Sequence, residues 1–253
     1  MSRFRMSTKI QEEYDLSKGY ELSEIIVGEE TLVELTQENV AKVEAMIRTD
    51  SNYRISLSDK EKSPYWILEL DKILKGKSSN PNIEDVVEKL VEKIDNENSV
   101  HLNADKIGRD FMKGKIIECI KNGTLLKYLG ERNFKLIDIL SERTKQGRGG
   151  RRNVSFASKF CHFSCFYIFK GEEAQDNFSI YDGVVARALP AYLDYYKEKL
   201  LDKKIDLKTI KKKIKDKSYK EYSNAIDDII EASGSKISRN GFDHLVWYYF
   251  KGK

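Results

Sequence analysis

The sequence predicts a mainly α-helical protein with few or no strands, and two features of the chain carry that prediction. Prolines are confined to positions 64, 81 and 190, so long stretches are free of the strongest helix breaker. Apolar residues recur at three- and four-residue intervals through most of the chain, whereas the strict alternation of a half-buried strand is scarce. Roughly ten helices are expected on that spacing. Residues 22–27 (LSEIIV) are the one segment that reads as a short strand.

The helices follow in chain order. IEDVVEKLVEKI (83–94) sets Ile83, Val86, Val87, Leu90, Val91 and Ile94 on one stripe. Residues 107–121 and 133–144 read similarly, the second with Phe134, Ile137 and Leu140 on its apolar side. Residues 183–201 form a further apolar-faced helix, expected to be interrupted or kinked near Pro190. The C-terminal stretch reads as two helices separated by the turn SGSKISRNG. No internal repeat of solenoid length is present. The expected organisation is an N-terminal helical lobe over residues 1–100 and a second lobe over 101–253 that holds the candidate site.

Composition narrows the function classes. A hydrophobic content of 40% over 253 residues supports one compact domain or two small ones sharing an interface. No apolar run approaches the ~18–20 residues that span a bilayer. The segment MSRFRMSTKIQEEYDLSKG has no apolar core of a signal peptide. An odd set of three cysteines argues against a disulfide framework and for a reducing, cytoplasmic setting. Net charge is +4, too small to indicate nucleic acid by itself, so the distribution of charge must decide.

Two basic clusters stand out. Between Lys197 and Lys220 eleven lysines face four acids, which reads either as a solvated helix face or as a flank contacting phosphates. The second cluster is different in kind. Arg143, Lys145, Arg148, Arg151 and Arg152 are interleaved with Gly147, Gly149 and Gly150. Arginine forks beside unobstructed main-chain N–H groups suit phosphate oxygens. The competing reading is a surface loop.

This segment lies between the helix at 133–144 and a helix opened by Asn153 as an N-cap. Helix, glycine-rich hairpin, helix is an arrangement that presents amides and a helix N-terminus to a DNA phosphate. Lys159 lies about a turn and a half into the second helix, among Phe156, Phe160 and Phe163. Desolvation there lowers a lysine pKa and makes its amine a competent nucleophile; the plainer reading is a snorkelling side chain. Asp182 follows FSIY and precedes GVVARALPAYL, the position of an N-cap. Taken alone, each residue has an ordinary explanation. The pair, downstream of a Gly/Arg hairpin, is more specific.

These residues resemble the helix-hairpin-helix DNA glycosylases, in particular the 8-oxoguanine-glycosylase-like branch. The resemblance rests on the hairpin at 145–152, the lysine early in the next helix and the aspartate twenty-three positions later. SKFCHF followed by IYDGVVARAL looks like a divergent bacterial offshoot of that branch, and FDHLVWYYFKGK is similar to its closing helix. The similarity covers roughly residues 100–253. The hairpin is arginine-heavy and departs from the family's Gly-apolar-Gly pattern. Cys119, Cys161 and Cys165 do not supply the four-cysteine iron–sulfur signature of some relatives.

The resemblance implies a two-lobed helix-hairpin-helix glycosylase fold and a monomer acting on double-stranded DNA with a modified base, with no cofactor and no metal. It implies that Asp182 and Lys159 are catalytic and that Lys145, Gly147, Arg148, Gly149, Gly150, Arg151, Arg152 and Asn153 contact DNA. Cleavage of the N-glycosidic bond would leave an abasic site, with lyase activity if Lys159 attacks C1′. Candidate walls of a pocket for the flipped base are His162, Phe163, Tyr181 and Trp247, with Tyr167 beside them. The spacing of Cys161, His162 and Cys165 offers no fourth zinc ligand nearby. Two substrates compete: a modified cytosine of phage DNA, excised in antiviral defence, is favoured over oxidised guanine in repair. The alternatives are a non-catalytic helix-hairpin-helix DNA-binding module and a helical interaction protein whose basic loop binds an acidic partner.

Overall fold

The computed structural model of the protein describes residues 21–49, 57–77, 82–97, 102, 106–142, 152–201 and 206–251. The fold is mainly α, as the apolar spacing predicts: among the described residues there are twelve α-helices and a single two-stranded sheet. Chain contacts divide it into two compact units, residues 1–54 with 182–253, and residues 55–181. This division differs from the expected boundary at residue 100. The reason is local: the helix before that point and the helix after it pack on each other within one unit.

The discontinuous unit begins with a hairpin, β1 (Glu24–Val27) and β2 (Glu30–Val33), paired antiparallel with Ile25 opposite Leu32. Gly28 turns the chain at φ +61°, a conformation that glycine adopts without a Cβ penalty. The strand expected at 22–27 is therefore present. Its partner ETLV was not legible, because four residues led by an acid carry no alternation. Helix α1 (Gln37–Thr49) follows. Asn39, 1% exposed, accepts from the Ser23 amide (3.1 Å) and donates to the carbonyls of Ser23 (3.0 Å) and Glu34 (2.8 Å), so its burial is compensated.

The rest of this unit is helical: α8 (Gly183–Tyr195), α9 (Lys197–Leu201), α10 (Leu207–Lys215), α11 (Tyr219–Ser233) and α12 (Arg239–Phe250). The helix is not interrupted at Pro190, which lies inside α8; the interruption comes at Tyr196, whose ψ of 13° separates α8 from α9. Gly234, at φ +73°, ends α11, and Ser238 caps α12 by accepting from the Gly241 amide at 2.9 Å. The SGSKISRNG segment is thus the turn the sequence predicts. A Cβ on Gly241 would lie 3.0 Å from Val40 Cγ1, so glycine lets α12 approach α1 closely. Tyr192 on α8 donates from its hydroxyl to the Val33 carbonyl at 2.8 Å, fastening α8 to the hairpin.

The continuous unit contains α2 (Ser63–Leu74), α3 (Ile83–Glu97), α4 (Lys106–Lys121), α5 (Thr124–Gly130), α6 (Lys135–Leu140) and α7 (Val154–Ile168). The stripe of α3 is realised, with Val86, Val87, Leu90, Val91 and Ile94 all buried. Each such side chain stabilises by roughly 1.5–3 kcal/mol relative to exposure. Ser63 ties the start of α2 to Glu97 at the end of α3 through its amide (2.8 Å) and hydroxyl (2.6 Å). Asp95 accepts from the Leu102 amide (2.8 Å) and from Arg109 Nε (2.8 Å), which holds α4 against α3. Of the helix expected at 133–144, α6 covers 135–140, with Arg132 at φ +52° shortly before it; residues 143 and 144 lie outside the described residues.

Helix α7 is the centre of this unit. It packs against α2, α3, α5, α6 and a 3-10 turn at Glu173–Asp176, and eleven of its fifteen residues are buried. A helix apolar on nearly all sides has no solvent face, which is why VSFASKFCHFSCFYI shows little amphipathic contrast.

Candidate functional site

The site is built on α7. Asn153 occupies its N-cap, as expected, but its side chain makes no capping bond; its carbonyl accepts from the Ala157 amide at 3.0 Å. Arg152, immediately before it, donates from Nη2 to Asp138 Oδ1 (2.9 Å) and to Ser141 Oγ (3.2 Å). This joins the start of α7 to α6. Both charged side chains are well exposed, so the pair is worth ~0–1 kcal/mol. The hairpin residues Lys145, Gly147, Arg148, Gly149, Gly150 and Arg151 lie outside the described residues.

Lys159 is 8% exposed, between the fully buried Ser158 and Phe160. Most of the side chain is therefore out of water, and a charge buried without partners would be costly there. Ser158 has the most informative contacts. Its hydroxyl donates to the Ser155 carbonyl (3.1 Å) and accepts from the Tyr181 amide (2.9 Å). One buried hydroxyl thereby pins the segment that leads to α8 against the turn of α7 carrying Lys159. His162 makes a second tie, with Nδ1 2.7 Å from the Phe178 carbonyl. A carbonyl only accepts, so Nδ1 carries the proton. His162, a candidate pocket wall in the sequence, is 3% exposed, edge-on to Phe163 and stacked on Phe166.

Ser158→Ala would leave the Tyr181 amide buried without its acceptor. The expected result is a loss of about 1–2 kcal/mol in urea unfolding, with faster hydrogen exchange at the Tyr181 amide than at amides elsewhere in α7.

Phe163 and Tyr167 are partly exposed and Tyr181 is 9% exposed. Burial pushes the Tyr167 phenol up to about 12, so it stays protonated at neutral pH. The thiols of Cys161, Cys165 and Cys119 are also raised, chiefly by burial, and therefore stay protonated and poor as ligands. Among the described residues no group of three or more His, Cys, Asp and Glu side chains is arranged to hold a metal ion.

Asp182 follows Tyr181 in the chain and opens α8 in the other unit. Its backbone is extended (φ −117°, ψ 144°) and its Oδ1 accepts from the Val184 amide at 2.6 Å. The expected cap is therefore realised, and it uses one carboxylate oxygen. A polar cluster surrounds it within that unit. The Asp182 main chain is hydrogen-bonded to the hydroxyl of Tyr222, a fully buried residue of α11. Burial, then the charges of Asp243, Tyr219 and Asp182, hold the Tyr222 phenol well above its ordinary value, so it remains neutral. Asp243 on α12 is 5% exposed. Trp247, one turn further along α12, is half-buried and has Lys251 Nζ 3.7 Å from its ring centroid.

Ser158, Tyr222 and Asp243 escape a sequence-level search for site residues. Ser158 is a small residue beside a lysine, and Tyr222 shares a core spacing with Ile226 and Ile229. Asp243 offers a weak signal, an acid within an apolar closing helix.

No family model, curated protein or solved structure matches the chain. No helix among the described residues is long and apolar enough to cross a membrane.

Proposed function

We propose that the protein is a DNA glycosylase that flips a modified base out of the duplex and cleaves its N-glycosidic bond, leaving an abasic site. The observation that carries this reading is the buried Lys159 on a central helix whose neighbour Ser158 anchors the segment ending at Tyr181, the residue that precedes Asp182 in the chain. As the base departs, positive charge builds on the deoxyribose. The Asp182 carboxylate stabilises that charge and aligns a water. The water oxygen bonds to C1′, the C1′–N bond breaks, and the bonding pair leaves with the base, which takes up a proton. With Asp182 Oδ1 held by the Val184 amide, the carboxylate has a fixed orientation. If the Lys159 amine attacks C1′ instead of water, a Schiff base forms and strand scission follows.

Modified cytosine in phage DNA is the preferred substrate, ahead of oxidised guanine, because the site segments diverge from those of the housekeeping repair enzymes. A competing reading keeps DNA binding and assigns Lys159 and Asp182 to a phosphate contact and a helix cap. Alkaline treatment separates the two. After incubation with hypermodified phage DNA, a glycosylase leaves alkali-labile breaks that accumulate with time. A binding module leaves none on any modified DNA.

A further inference from the structure

Helix α10 carries a charge pattern that its own packing does not use. Ile214 is buried and Leu207 and Ile210 are partly covered, so its apolar edge is occupied within the unit, against α8 and α11. Lys211 is paired with Asp194, and Lys213 with Glu221 at 2.7 Å. Lys208, Lys212 and Lys215 remain. Their i, i+4, i+7 spacing puts them in one file on a single flank of the helix. All three are exposed, and none forms an ion pair among the described residues. Lys208 adds a minor share to the lowered carboxylate of Asp206, which hydrogen bonds from Thr209 dominate.

Helix design explains only part of this file. A cation in the last turn complements the helix dipole, which accounts for Lys212 and Lys215, but Lys208 stands in the first turn and opposes it. Like charges four residues apart also destabilise the helix. Exposed Lys217 and Lys220 extend the positive surface beyond its C-terminus.

We propose that Lys208, Lys212 and Lys215 form a stripe that tracks the phosphate backbone of duplex DNA, separate from the Gly/Arg segment at 145–152. This rests on the glycosylase reading for its partner. The file spans ~10 Å at 1.5 Å per residue, which matches about three phosphates of one strand measured along the duplex axis. A lipid surface fits less well, because a helix lying on lipid needs its apolar face free.

The test is the salt dependence of full-length protein binding to an unmodified fluorescent duplex, followed by anisotropy. Glutamine keeps helix propensity close to that of lysine. The K208Q/K212Q/K215Q variant is expected to bind more weakly at low salt, with a log–log salt slope shallower by about 2–3. A K211Q/K213Q variant, which removes charges already paired, is expected to change the slope less per lysine. An unchanged slope in the triple variant overturns the stripe, as does an equal change per lysine in both variants. A larger loss on phosphatidylserine vesicles than on duplex also overturns it. Wild-type protein that fails to bind duplex at low salt removes the glycosylase reading and the stripe together.

Discussion

Asp182→Asn is expected to abolish base release, lowering the single-turnover rate by at least ~10²–10³-fold, while duplex binding and folding survive. The magnitude is that of removing one preorganised charge from the position where opposite charge develops. Folding survives because asparagine caps helices as well as aspartate does, and its Oδ1 still accepts from the Val184 amide. The Tyr222 contact is to the main chain of residue 182 and does not depend on its side chain. A cap alone therefore predicts little effect, and a catalytic carboxylate predicts a severe one. Base release at the wild-type rate from Asp182→Asn contradicts the catalytic assignment.

The second large effect is at Lys159. Lys159→Gln preserves most of the side-chain volume and removes the charge. Its base-release rate is expected to fall on the order of 10²-fold, within the range for a positioned proton-transfer or nucleophilic group. Borohydride trapping divides the two roles. A protein–DNA adduct formed by wild type and lost in Lys159→Gln assigns nucleophilic attack at C1′. Slower release by the variant, with no adduct from either protein, assigns positioning. Undiminished release by Lys159→Gln removes the residue from the reaction, and its 8% exposure would then reflect core packing alone.

The helical class was legible because the relevant signal is periodic and local. The stripe at 83–94 and the cap at Asp182 are both recovered where the spacing puts them. Helix ends were less legible. Tyr196, not Pro190, interrupts the helix after Asp182, because the chain carries a proline through α8 without breaking it. The division into units was not legible, since it follows from α3 packing on α4 across the expected boundary. In the candidate site, the charged residues announced themselves by standing in apolar company. Ser158 did not, because its importance lies in one hydrogen bond to an amide twenty-three residues away. Contacts of that separation leave no mark on local spacing. The buried Tyr222 escaped for a related reason: its ring reads as core, and only its hydroxyl meets Asp182.

The most direct measurement is mass spectrometry of small molecules released when the protein is incubated with genomic DNAs of differing modification, hypermodified phage DNA among them. A catalytic Asp182 predicts one free modified base, a modified cytosine, released by wild type and absent with Asp182→Asn. Stable binding to those DNAs with no free base from any of them would contradict it.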